Sequence, residues 1–146
     1  MGRLVRLEME NKKIFAVIDT NVLVSALISK DINSFPLRVM AAVYSGIITP
    51  VYNMEIIQEY EDVLMRDKFN LDCNDIESAI SVFEQLGLNL ERTEVTDEVF
   101  PDPKDIVFYE VKMSKEDAYL ITGNIKHFPN KPFVVTPKEI IEILCL

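Results

Sequence analysis

Asp19 closes the apolar run Ile14-Phe15-Ala16-Val17-Ile18 and opens Asp19-Thr20-Asn21, directly before a second apolar stretch, Val22–Ile28. A short β-branched run that meets a carboxylate and then turns helical sets that carboxylate at the carboxyl end of a buried strand. Open α/β sheets bind ligands at that edge. An acid there, with Thr20 and Asn21 beside it, suits a hard cation. The same residue also serves as an N-cap for a helix starting at Thr20. The two roles are compatible.

Three later segments offer further oxygens. Glu59 lies roughly 100° from the centre of the stripe Ile56, Ile57, Tyr60, Val63 and Leu64, taking ~100° per residue. It therefore sits at the boundary of its helix, while Glu55, Glu61 and Asp62 read as a solvated face. Asp102-Pro103-Lys104-Asp105 reads as a carboxylate version of the capping box, with Asp102 as N-cap, Pro103 at N1 and Asp105 at N3. A carboxylate at a helix N-terminus is also held in the charged form that a metal requires. Thr122-Gly123-Asn124 ends the run Tyr119-Leu120-Ile121 as Asp19 ends the first, and reads equally as an ordinary turn. Glu116 and Asp117 precede that run and belong to the opposite, solvated edge. The lone histidine, His127, reads as a packed or surface residue.

These positions require strands and helices in alternation, and the chain supplies them. Thr20–Ile28 reads as a helix and Ser29–Ser34 as a loop. Pro36 opens a helix carrying Leu37, Met40, Ala41 and Tyr44 to Gly46, and Ile47-Ile48-Thr49-Pro50 is a short strand ended by proline. Asn53 caps the helix that carries Glu59. Asp75–Leu86 is a further amphipathic helix with Gly87 past its end, and Leu88–Arg92 reads as a strand. A helix runs from Asp102-Pro103 to about Lys112, followed by strands at Ala118–Thr122 and Phe133–Val135. Thr136-Pro137-Lys138-Glu139 caps a final short helix. Strands alternating with helices predict a three-layer α/β/α fold with a central parallel sheet. One domain over residues 1–146, with its core at about 13–146, accommodates the whole pattern.

Composition excludes several classes. The hydrophobic fraction of 49% and only four glycines argue against disorder. No apolar run approaches the ~18 residues of a membrane span. Met1–Lys13 carries Arg3 and Arg6 without an apolar core after them, so a signal peptide is not expected and a cytoplasmic location is. Cys73 and Cys145 lack a C-x-x-C spacing and are expected as reduced, mostly buried thiols. One histidine leaves no zinc cage and no second candidate for a Ser-His relay. Neither G-x-G-x-x-G nor Walker A spacing occurs. The net charge of −9 runs against a broad phosphate-tracking surface but suits carboxylates gathered around Mg²⁺ or Mn²⁺.

Taken in order, these segments resemble the PIN domain, the metal-dependent nuclease fold of many bacterial toxin–antitoxin toxins. The resemblance runs from Phe15 to Leu144. It is carried by Val17-Ile18-Asp19-Thr20-Asn21-Val22-Leu23, by Gln58-Glu59-Tyr60 through Asp67-Lys68-Phe69, by Asp102-Pro103-Lys104-Asp105, and by Tyr119-Leu120-Ile121-Thr122-Gly123-Asn124 through His127-Phe128. It implies Asp19, Glu59 and Asp105 as the acidic, metal-holding and catalytic set, Asp102 and Asn124 as further metal contacts, and Thr20, Asn21 and Thr122 as residues that orient the ligands. It implies Mg²⁺ or Mn²⁺ as cofactor, RNA as substrate cut to 5′-phosphate and 3′-hydroxyl ends, an antitoxin protein as partner, and a homodimer. In such a dimer Lys104, Lys112, Lys115, Lys126 and Lys131 would border a joint groove. Many PIN domains carry aspartate where this chain has Asn124, which removes one negative charge from the cation's surroundings.

Two other readings compete. A PIN fold with an incomplete site would be a weakly active or inactive binding module, as Asn124 and the acidic balance suggest. An unrelated phospho-receiver would need a lysine at the end of a late strand, but Lys138 already lies in the following helix.

Overall fold

The computed structural model describes residues 13–146, so the expectation placed on Met1–Lys13 lies outside them except at its last residue. Five strands form one parallel sheet in the order β3-β2-β1-β4-β5, with β1 Ile14–Ile18, β2 Ile48–Tyr52, β3 Leu88–Asn89, β4 Ala118–Ile121 and β5 Val134–Val135. Six α-helices accompany them: α1 Thr20–Ile28, α2 Phe35–Tyr44, α3 Met54–Leu64, α4 Cys73–Leu86, α5 Ile106–Met113 and α6 Pro137–Ile143. Helix α2 packs on α1 and α6, and α5 lies on β1 and β4 with α3 and α4 nearby, so the sheet is the middle of three layers. No helix among the described residues is long and apolar enough to cross a membrane.

The central strand is apolar because both its faces are covered, as a parallel sheet requires. Ala16, Val17 and Ile18 are fully buried. Tyr60 of α3 reaches the same core. Its ring packs on Phe83 of α4 and Phe108 of α5, with centroids 5.1 and 6.2 Å away, and its hydroxyl donates to the Ile18 carbonyl. Burial and the charge of Asp19 hold the phenol well above its ordinary pKa. Asn53 caps α3 through Ile56 N–H at 2.9 Å. Thr136 and Glu139 complete a reciprocal capping box on α6, at 3.1 and 3.0 Å.

Several element boundaries differ from the sequence reading, and four of the differences have a physical reason in the structure. Strand β2 runs through Pro50 to Tyr52, because the proline nitrogen faces the β3 side, where pairing begins only at Val51–Leu88. Helix α4 starts two residues earlier than Asp75, since Asp72 caps it through Asn74 N–H at 2.7 Å. The strand expected at Leu88–Arg92 ends at Asn89. Leu90 still donates to the Tyr52 carbonyl, but Arg92 turns away to bind Glu55 and Glu110, each at 2.9 Å. The helix expected from Asp102-Pro103 begins as a 3-10 turn, Pro103–Asp105, and becomes α-helical only at Ile106. The two cysteines, expected mostly buried, are free and exposed. Cys73 opens α4 at the surface, and Cys145 follows α6.

Gly87 explains why β2 and α4 can lie so close. A Cβ there would stand 2.4 Å from the Phe83 carbonyl oxygen and 2.6 Å from that of Pro50. Both are backbone atoms that no rotamer change can move aside.

Candidate active site

The parallel register Ile18↔Ile121 sets the ends of β1 and β4 side by side, so Asp19 and Thr122 emerge as neighbours at the carboxyl edge of the sheet. Asp19 N–H continues the ladder to the Ile121 carbonyl at 2.9 Å. The Thr122 hydroxyl donates to Asp19 Oδ2 at 2.8 Å, and Thr20 N–H donates to Asp19 Oδ1 at 2.8 Å. Thr122 Oγ1 in turn accepts Asn124 N–H at 3.0 Å. Asp19 thus caps α1 and is pinned at both oxygens, as its dual reading allowed. Asn21 ties the same two strand ends together by accepting Gly123 N–H at 3.0 Å, so close that a Cβ on Gly123 would lie 3.3 Å from Asn21 Oδ1.

A cleft of about 270 Å³ opens over this edge, and its lining includes Asp19, Glu59, Asp102 and Asp105. Glu59 is half-buried, as its boundary position on α3 predicted. Asp102 caps the 3-10 turn through Lys104 N–H at 3.0 Å. Asp105 does not complete a capping box. Its carboxylate turns into the cleft instead, and its buried Oδ2 has no hydrogen-bond partner. His127 Nδ1 stands 3.5 Å from that oxygen, within ion-pair range but beyond a well-formed hydrogen bond.

The electrostatics follow from this crowding. Burial, then the charges of Asp19 and Asp102, and finally that of Glu59 push the Asp105 carboxyl up to about 6, against the pull of His127. Burial also raises Asp19, with Glu59 adding to the effect and the Thr122 and Thr20 hydrogen bonds opposing it. A cleft in which Asp19 and Asp105 both resist ionisation, with one carboxylate oxygen and the Thr20 hydroxyl both buried and unpartnered, fits a hard, oxygen-seeking cation. Among the described residues, no three His, Cys, Asp or Glu side chains are gathered tightly enough to hold a metal unaided.

The other sequence candidates fare differently. Thr20 and Asn21 line the cleft. Thr122 lies behind Asp19, fully buried. Asn124 is half-buried and is not among the lining residues; its backbone, not its side chain, serves the site through Thr122. His127, read from the sequence as packed or surface, faces the cleft because the 3-10 turn Ile125–His127 folds back over the edge. Its spacing from Asn124 was the only available signal. Of the five lysines proposed for a joint groove, Lys112 is buried, with Nζ on the Lys115 and Glu116 carbonyls and over the Phe133 ring. Lys115 pairs with Asp117 at the opposite edge of the sheet, and Lys131 with Glu98 at 3.3 Å. Lys104 lines the cleft, and Lys126 is exposed.

A parallel sheet in this order, with four carboxylates from three segments over its carboxyl edge, defines the class, and the family comparison agrees. The family model described as PIN domain matches residues 16–126, and the chain belongs to the PIN-domain family. PIN domains are generally nucleases that use divalent metals and bind nucleic acid. No curated protein and no solved structure matches the chain.

Proposed function

We propose that the chain, as one PIN-like domain over residues 1–146, is a Mg²⁺- or Mn²⁺-dependent endoribonuclease acting in the cytoplasm as the toxin of a toxin–antitoxin pair. The observation that carries the metal-dependent reading is Asp105. Its buried, unpartnered carboxylate oxygen shares the cleft with Asp19 and has its pKa pushed up to about 6 by burial and surrounding acids. His127 offsets that repulsion only in part, and a divalent cation would relieve it.

Asp19, Asp105 and Glu59 would hold the cation, with Asp102 at the rim. Mg²⁺ keeps several waters and takes only one or two carboxylates, which suits a set of acids that does not close into a cage. When bound, the cation supplies a water of lowered pKa and neutralises charge on the phosphodiester. The chain's own residues do the rest. Thr122 and Thr20 N–H fix Asp19 so that it needs no reorientation when ligated. Asn21 holds the ends of β1 and β4 in register. Lys104, the one lysine or arginine lining the cleft, is placed to draw in a phosphate that bare carboxylates would repel. The antitoxin partner and the homodimer follow from the family resemblance.

Cleavage of single-stranded and structured RNA with Mg²⁺ or Mn²⁺, comparing wild type with Asp19→Asn, tests the proposal. Hydrolysis that requires the metal and drops by at least about 100-fold in the variant is expected. Activity that survives both EDTA and the substitution would sink it. The second reading, a binding module without catalysis, draws on Asn124 lying off the lining and on the absence of a ready ligand trio among the described residues. Calorimetry separates the two: a module of that kind shows no saturable, Asp19-dependent Mn²⁺ binding.

A further inference from the structure

A second groove, of about 450 Å³, is lined by Ile125, Lys126, Pro129, Asn130 and Lys131 among others. It adjoins the acidic cleft directly, for His127 lines one depression and Lys126 the other, and the two are consecutive on the turn Ile125–His127. Consecutive Cα atoms are only ~3.8 Å apart, so this turn is the shared wall. The groove differs from the cleft in charge. None of its lining residues is acidic, in a chain whose net charge is −9. Lys126 is exposed and belongs to none of the ion pairs among the described residues. Lys131 is bound to Glu98 by a half-exposed bridge, a type of pair worth ~0–1 kcal/mol and readily exchanged for a phosphate.

We infer that this groove holds the single-stranded flank of a nucleic-acid substrate whose reacting phosphodiester lies in the acidic cleft; the inference rests on the nuclease reading above. A polyanion bound at a carboxylate cluster needs compensating charge along its length, and Lys126 supplies it one residue from the cleft wall. Exposed Ile125, with Pro129, offers apolar surface to a base face, and the Asn130 amide offers a donor and an acceptor to a base edge. Bases reach such surfaces only when splayed out of a duplex, so the flank is single-stranded. Lys126 acts on affinity and register and takes no part in the chemistry.

The test compares the full chain with Lys126→Glu and Lys126→Gln on two single-stranded RNAs. One is about three nucleotides long and confined to the cleft; the other is about twelve and long enough to cross the turn. Lys126→Glu should lower kcat/KM on the longer RNA about tenfold, through KM, and leave the shorter within about twofold. Lys126→Gln should reduce the slope of log KM against log salt by ~0.7, the loss of one phosphate contact on a single strand. Equal effects on both lengths, or none on either, overturn the inference while leaving the nuclease reading intact. Failure of the wild type to cut either RNA overturns both. Loss of affinity for a polyglutamate peptide, with RNA cleavage unchanged, would assign the groove to an acidic protein segment and overturn the inference as well.

Discussion

Thr122 and Asp19 are separated by 103 positions in the chain and joined by a 2.8 Å hydrogen bond at the adjacent ends of β4 and β1. The bond is charge-assisted and buried, so its loss leaves a carboxylate oxygen without a donor. Thr122→Val should destabilise the protein by about 1–3 kcal/mol, measured by urea unfolding. It should also raise the pKa of Asp19 further, since that hydrogen bond is the largest influence holding it down. Thr122→Ser keeps the donor and should recover most of the loss. A Thr122→Ser variant as unstable as Thr122→Val would show that the hydroxyl donor alone is not the source of the stability.

The Asp105 carboxyl gives the metal-free protein a distinctive pH response. Its pKa rises from 3.8 unfolded to about 6 folded, so in that window the native state binds more protons than the unfolded state. Stability therefore falls as pH rises from about 4 to about 6 and stays lower above it. Asp19, also raised, acts in the same direction. Asp105→Asn should flatten the slope and stabilise the metal-free protein at pH 7.5. Urea midpoints at pH 4.5 and 7.5 read both effects, and a variant as pH-sensitive as wild type would refute the assignment.

Divalent cations should reverse that penalty. Mn²⁺ at about 100 times its Kd stabilises the folded state by about 2.7 kcal/mol, seen as a raised Tm that EDTA abolishes. Asp19→Asn should abolish the shift while remaining folded, since the asparagine oxygen still accepts the Thr20 N–H and its amide N–H donates to the Thr122 hydroxyl oxygen in place of the bond that Asp19 accepts there. A full Mn²⁺ shift in that variant would place the cation elsewhere.

Gly87→Ala tests the packing that holds β2 against α4. The added methyl meets two carbonyl oxygens at 2.4 and 2.6 Å, and relief requires the strand or the helix to move. A loss of about 1–3 kcal/mol or more is expected in thermal unfolding. A neutral result would mean that β2 and α4 slide freely, at odds with the Val51–Leu88 pairing that follows the glycine.

The chain announces its sheet and its acids locally. The run ending at Asp19, the cap at Asn53, the boundary position of Glu59 and the capping box at Thr136 all rest on spacing within a few residues, and each reads correctly from the sequence. Boundaries that depend on distant partners do not. Strand β3 stops at Asn89 because Arg92 finds Glu55 and Glu110, and β2 accepts Pro50 because its neighbour strand has not yet begun.

The site divides in the same way. Which residues are acidic, and that several stand at strand ends or helix starts, is written in the sequence. That Asp105 abandons a capping role to face Asp19, that His127 folds back over the cleft, and that Asn124 contributes a backbone N–H instead of its side chain are decided by tertiary structure. The physical reason is that side-chain periodicity reports burial along one element, whereas carboxylate repulsion and hydrogen bonding across the carboxyl edge arise only when the parallel register brings β1 and β4 together.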